Sequence, residues 1–247
     1  MDVSLTPECK SSRPLFIKGD QGGFLAALQL ADSFFPTGMY AHSHGLEGMV
    51  RQGLVSTVDD VEEFLVNQLR WSVLPSDGVA LLNAYQAAAS GDLDALTSID
   101  RLLLALKLPQ EMRTASTQIG GRLMSETSKL LSNETHAQYL NRITRRETPG
   151  NGAVAMGVTA WALGVPDRQA LLLFCHSHAV SVLGAALRLL PLTHSDAQSV
   201  LHRLHPVIAE VLQEIESTPW QDMTSFVPGL DIASMNHEMD DLRLFAS

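Results

Sequence analysis

Cysteine is nearly absent: Cys9 and Cys175 are the two in 247 residues, too far apart in sequence to suggest a disulfide framework or a Cys-x-x-Cys pair. A reducing compartment follows as the simplest expectation. Basic residues are scarce as well, with 17 Lys and Arg against 27 Asp and Glu, a formal net charge of −10, and only four lysines. Neutralising a phosphate backbone needs clustered Lys and Arg, so nucleic acid is not expected as a partner. The opening "MDVSLTPECK" has an acid at position 2, a proline at 7 and no apolar core, so no secretory leader is expected and the cytoplasm is the expected location. The chain lacks G-x-x-x-x-G-K-[ST], G-x-G-x-x-G after a strand, H-E-x-x-H and G-x-S-x-G. Nucleotide hydrolysis, dinucleotide binding and the common hydrolase chemistries therefore have no carrier residues, no catalytic residue is assigned, and no cofactor is expected. Period-two alternation is missing too, which argues against a sheet.

What is present is apolar residues at helical spacing, within a hydrophobic fraction of 45% that suffices for a sizeable core. Residues 1–21 mix Ser, Pro, Lys and Gly without a period and read as a flexible arm. From Gly22, Phe24, Leu25, Leu28 and Ala31 begin a helix that Pro36 forbids from continuing. A second helix is expected over about 43–52, and a third from a Thr57/Asp60 capping box to Leu74-Pro75. Further helices are expected over about 77–90, 93–107, 110–132, 134–146 and 152–163. The run "ETPGNG" before the last of these is the strongest breaker and suggests a hinge. A long apolar helix over 167–190 follows, bounded by Pro166 and Pro191. Gln169, His176, Ser177, His178 and Arg188 interrupt it, so a central core helix is expected and no membrane span. A last helix opens at a Thr193/Asp196 box and runs to about 216 through Pro206. The expected fold is all-α: one multi-helix bundle over 22–217, about ten helices around the long apolar one, followed by a tail over 218–247.

Nine histidines include two His-Ser-His runs, 42–44 and 176–178. On a regular helix residues i and i+2 diverge, so His176 and His178 read as core or interface groups. His42 and His44 sit in "FFPTGMYAHSHGLEGM", where an extended backbone could converge them on a nickel or zinc ion, although no third ligand lies at a usual spacing. His202 and His205 share a helix face and read as an exposed polar one. Ser43 between two histidines is adjacency, without the geometry of a nucleophile and base. The basic cluster Arg142, Arg145 and Arg146 reads as a solvated helix end that would suit an acidic patch on a partner.

The segment "LADSFFPTGMYAHSHGLEGMV", with Pro36, Gly38, Tyr40, His42, Ser43, Gly45, Leu46 and Glu47, resembles the UreF family of urease accessory proteins. So do "TASTQIGGRLM", "LGAALRLLPLTHSDAQSVLHRLHPVI" and "IASMNHEMDDLRLFAS", in the same order. The resemblance implies a homodimer without enzymatic activity of its own. It also implies an adaptor that joins UreD (UreH in some organisms) and the GTP-hydrolysing UreG, so that nickel reaches the urease apoprotein, and a regulatory role toward GTP hydrolysis. The glycines around Pro36 suit a rigid corner for partner contact, with metal contact secondary. In the tail, Ile232, Met235, Leu242, Leu244 and Phe245 offer apolar surface, while Ser234, His237, Glu238, Asp240, Asp241 and Arg243 offer polar contacts. That tail is expected to order fully only against UreD. An independent nickel- or zinc-binding protein using His42 and His44 is the alternative.

Overall fold

The computed structural model describes residues 20–239 and 243–245. Of the arm expected over 1–21, residues 1–19 lie outside the described residues, as do Cys9, Asp240, Asp241 and Leu242, and the arm's last two residues already belong to α1 (Asp20–Ala31). Thereafter come α2 (Leu46–Arg51), α3 (Val58–Gln68), α4 (Val79–Ser90), α5 (Leu93–Leu106), α6 (Gln110–Ser128), α7 (Glu134–Thr144), α8 (Gly152–Leu163), α9 (Asp167–Leu189), α10 (His194–Ile215) and α11 (Pro228–His237). No strand occurs among the described residues. The chain is an all-α bundle with one continuous hydrophobic core.

Both expected capping boxes form. Thr57 Oγ1 accepts Asp60 N–H at 3.1 Å while Asp60 Oδ2 accepts Thr57 N–H at 2.9 Å, and Thr193 with Asp196 repeats the exchange at 3.1 and 2.9 Å. Three helices end on a glycine in the left-handed region, Gly53, Gly91 and Gly164, where a side chain would be strained.

Three local expectations are corrected. The second helix is shorter than expected, because Gly45 (φ 86°) and His44 (φ 53°) hold its start in left-handed backbone. Pro75 does not end the third helix: the chain stays helical from α3 into α4 through a π-helical stretch, Leu69–Gly78. Proline removes the N–H that would serve the carbonyl four residues earlier, and here Trp71 O accepts Phe226 N–H instead, at 2.8 Å. Pro75 O likewise accepts Thr224 N–H at 3.1 Å, so the C-terminal segment repairs the ladder. Nor does "ETPGNG" behave as a hinge. The fully buried Asp100 of α5 accepts Thr148 Oγ1–H at 2.7 Å, the Gly150 and Asn151 N–H groups at 2.6 and 2.9 Å, and Tyr139 O–H at 2.9 Å. A breaker with that many bonds to one buried carboxyl is pinned.

At the centre, α8 is buried at every position from Gly152 to Ala160 and packs on α4. Gly157 makes that contact close: a Cβ there would lie 2.4 Å from Leu81 O. α9 is long and apolar enough by length and composition to cross a membrane, yet 67% of its most apolar window is buried, against α1, α2, α8 and α10 among others. It is a core helix, as its polar interruptions suggested.

Candidate functional site

The quoted corner is a sequence of forced turns. Pro36 blocks helix, Gly38 takes φ 77°, Met39–Ala41 form one 3-10 turn, and Gly45 opens α2. The two glycines have different reasons. At Gly38 a Cβ would lie 2.1 Å from Arg122 Nη1, and at Gly45 it would meet Leu230 Cδ1 at 2.4 Å and Ser234 Oγ at 2.7 Å. Leu230 and Ser234 belong to α11, so the second glycine is where the tail sits on the corner. Gly48 extends the contact, its Cβ position being 2.7 Å from Ala233 O.

Glu47 is the polar centre of this junction. Its side chain is 2% exposed and accepts the backbone N–H groups of Leu244 and Phe245, at 2.9 Å each. Arg51 Nε lies 3.4 Å away on the same helix. His237 Nε2 is 3.2 Å from Glu47 Oε2 without making a hydrogen bond, while its Nδ1 is bonded to Glu111 Oε2 at 2.9 Å. Glu111 also pairs with Arg243, and Glu238 Oε1 accepts Glu111 N–H at 3.1 Å, capping the first turn of α6 from outside. Phe245 is buried beneath the Arg188 guanidinium, 5.5 Å from its centre.

The described parts of the tail pack on the chain's own core. Leu230, Ser234, His237 and Phe245 are buried on the chain's own core, because Glu47 and Glu111 supply the polar partners that a free tail would lack. Four large apolar side chains stay outside, Ile232 (59% exposed), Met235 (40%), Met239 (84%) and Leu244 (61%), beside the exposed polar Asn236 and Arg243. Ile232 and Met235, three residues apart, share one face of α11, and Met239 follows in the turn after it.

The histidines separate into unlike environments. His42 is buried, and desolvation, then Arg122, pushes its pKa down against a smaller opposing effect of Glu111. His44 turns inward instead, its ring 4.5 Å from that of His178. Gln68 ties the pair, donating to His44 O at 3.0 Å and accepting at Oε1 from His178 Nε2 at 2.8 Å. With the amide oxygen facing the imidazole, His178 Nε2 carries the proton. Burial pushes His178 down to about 4 and His44 well below its ordinary value, so both are neutral near pH 7. They line a cavity of about 90 Å³ together with the Lys107–Asp77 pair at 2.7 Å. The rings of His42 and His44 stand 6.3 Å apart, and no group of three His, Cys, Asp or Glu among the described residues could hold a metal ion. His237 belongs with Glu47 and Glu111. The corner is thus a packed joint whose Tyr40 is its partly exposed aromatic, the phenol raised by burial and by Asp32.

Of the residues picked out in the sequence, Gly45, Leu46, Glu47, Ser234, His237, Glu238, Arg243, Leu244 and Phe245 meet at one junction, while Pro36, Gly38 and Tyr40 lie on the Arg122 side of the corner. Glu111, Gln68 and Arg122 complete the joint and carry no signal of their own in the sequence. Only contact shows them.

A family model described as UreF matches residues 55–205. The chain belongs to the UreF family. It is 33% identical over 223 residues to the urease accessory protein UreF 2 of Brucella canis, covering 90% of this chain and 91% of that one. Against UreF of Trichodesmium erythraeum the identity is 34% over 235 residues, covering 94% and 100%, and against UreF of Bacillus sp. it is 28% over 223 residues, covering 90% and 98%. Both halves of the junction, the corner before residue 55 and the tail after 205, lie outside the family-model match.

Proposed function

We propose that this UreF-family chain is a urease maturation factor without catalytic chemistry, an adaptor joining UreD (UreH in some organisms) and the GTPase UreG so that nickel reaches the urease apoprotein. It would act on GTP hydrolysis only through that partner. The observation that carries the reading is the apolar ridge of Ile232, Met235, Met239 and Leu244, held outward by a buried polar anchor at Glu47 and Glu111. Exposed apolar side chains fixed on an ordered scaffold bind at a lower entropic cost than a free tail would. Burying each is worth roughly 1.5–3 kcal/mol, enough for several together to support a stable complex. The names of the relatives, all urease accessory proteins, support the assignment to that process. Formation of a homodimer belongs to the same proposal, and the outward Phe24, Leu25 and Leu28 of α1 offer a second apolar face for it.

The test is light scattering on a sizing column, with the chain mixed first with UreD and then with UreG. Wild type should give a dimer alone and a defined larger complex with the partners. Ile232→Glu with Leu244→Glu, both at exposed positions, should keep the fold and lose UreD. Unchanged association in the double variant would reject the ridge as the UreD surface.

A further inference from the structure

Four helices in the described chain close with one hydrogen-bond pattern, in which a residue with positive φ follows the helix and the next N–H reaches back five residues. The pattern occurs at Gly53 (Leu54 N to Met49 O, 3.0 Å), Gly91 (Asp92 N to Ala87 O, 2.9 Å), Gly164 (Val165 N to Ala160 O, 2.9 Å) and Arg146 (Glu147 N to Arg142 O, 2.9 Å). Three of the four carry the glycine that the left-handed backbone favours; the end of α7 carries arginine at φ 60°. Cations favour a helix C-terminus, but any position in the last turn serves that purpose, and Arg142 and Arg145 already do so. The strained arginine is left without a reason inside the fold.

Its surroundings are rigid and outward-facing. Arg145 and Arg146 are exposed, and among the described residues neither side chain has a hydrogen-bond or ion-pair partner, whereas Arg142 is paired with Asp94 at 2.8 Å. Arg101 joins the same edge by donating to Glu147 O at 2.8 Å. Below the loop sit the Asp100 bonds to residues 148, 150 and 151, and Gly120 of α6 approaches so closely that a Cβ would be 2.1 Å from Gly150 O. On a chain with net charge −10 this is a localised basic patch on a fixed base.

We propose that the α7–α8 loop, through Arg145 and Arg146, is a docking point for a carboxylate-rich segment of a protein partner. The identity of that partner as a member of the urease maturation assembly rests on the function proposed above. A nucleotide phosphate fits less well, because phosphate sites gather free backbone N–H groups at helix N-termini or nests. Here those groups are consumed: Arg146 and Glu147 N–H close α7, and Gly150 and Asn151 N–H go to Asp100. The Arg145 and Arg146 guanidinium groups reach outward beside the exposed Glu147, and they suit carboxylates that arrive on another protein's surface.

The test uses the full chain, its Arg145→Glu/Arg146→Glu variant and its Arg146→Gly variant. Decaglutamate peptide and GTP are titrated separately while the amide resonances of residues 142–151 are followed, and assembly with UreD and UreG is measured on the same samples. Decaglutamate should shift those resonances in wild type, with an affinity that falls as salt rises, and the double charge reversal should weaken it at least tenfold. Arg146→Gly should raise the melting temperature by about 2 °C, since glycine relieves the strain, while weakening the peptide several-fold. A gain in stability with unchanged binding would overturn the proposal, as would failure of decaglutamate to bind wild type or a response to GTP alone. If peptide binding depends on the two arginines but wild type assembles with neither UreD nor UreG, the docking site stands and the adaptor reading falls.

Discussion

Glu47 is a buried acid with two backbone donors, an arginine and a histidine around it, and each of those groups belongs either to the corner or to the tail. Removing its charge should therefore unfasten residues far from it in sequence. Glu47→Gln keeps the shape but sets an NH2 donor where Glu47 Oε1 accepts Leu244 N–H at 2.9 Å, so that donor faces donor in a buried site at a cost of about 1–3 kcal/mol. Denaturant unfolding should show that loss, and amide exchange at Leu244 and Phe245 should accelerate more than exchange in α8. Equal protection in variant and wild type would mean that the tail is held by its apolar contacts alone. In the sequence Glu47 was legible as a member of the motif. Its role was not, because nothing in the spacing says that a carboxylate at 47 meets N–H groups almost 200 residues later.

Among elements, the helix pair α4 and α8 shows how one chemical change can have opposite signs. Gly157→Ala drives a methyl to within 2.4 Å of Leu81 O and 3.1 Å of Tyr85 N, both backbone atoms, and overpacking of this kind costs about 1–3 kcal/mol. Gly184→Ala in α9 meets nothing within 4 Å, and the gain in helix propensity should stabilise the chain by about 0.5–1 kcal/mol. Thermal melting of the two variants checks both signs, and a stabilised Gly157→Ala would show that α4 and α8 separate freely. Helix positions were largely legible from caps and breakers, as the Thr57 and Thr193 boxes and Gly91 show. The exceptions share one cause. Pro75, the "ETPGNG" run and the start of α2 obey partners from elsewhere in the chain, Phe226 and Thr224, Asp100, and α11, which local propensity does not register.

At the scale of the molecule, the folded chain and its unfolded form differ in proton uptake. Burial holds His136 and His178 at about 4, while an unfolded imidazole titrates near 6.5, so between these values the unfolded chain binds more protons. Their neutral forms leave stability intact above pH ~6.5, and it is lost as pH falls toward 4, at about 1.4 kcal/mol per pH unit for each histidine. Urea unfolding across pH 7 to 4.5 should show this decline, and His178→Gln, which can still bond to Gln68, should flatten it by about one proton. A slope unchanged in that variant would mean that His178 titrates normally in the fold.

The sequence by itself determined that this chain is all-helical, where most of its helices begin and end, that α9 is core, and that it resembles the UreF family. Those properties depend on local spacing, caps and composition, and they survive reading one segment at a time. Only the tertiary structure decided that the tail is anchored, that Glu47, Glu111 and His237 share one joint, that His44 and His178 face each other in a cavity, and that the strained Arg146 stands on a pinned loop. Each of those depends on groups brought together over long chain separations, where burial removes water and leaves a polar atom with only the partners that folding delivers.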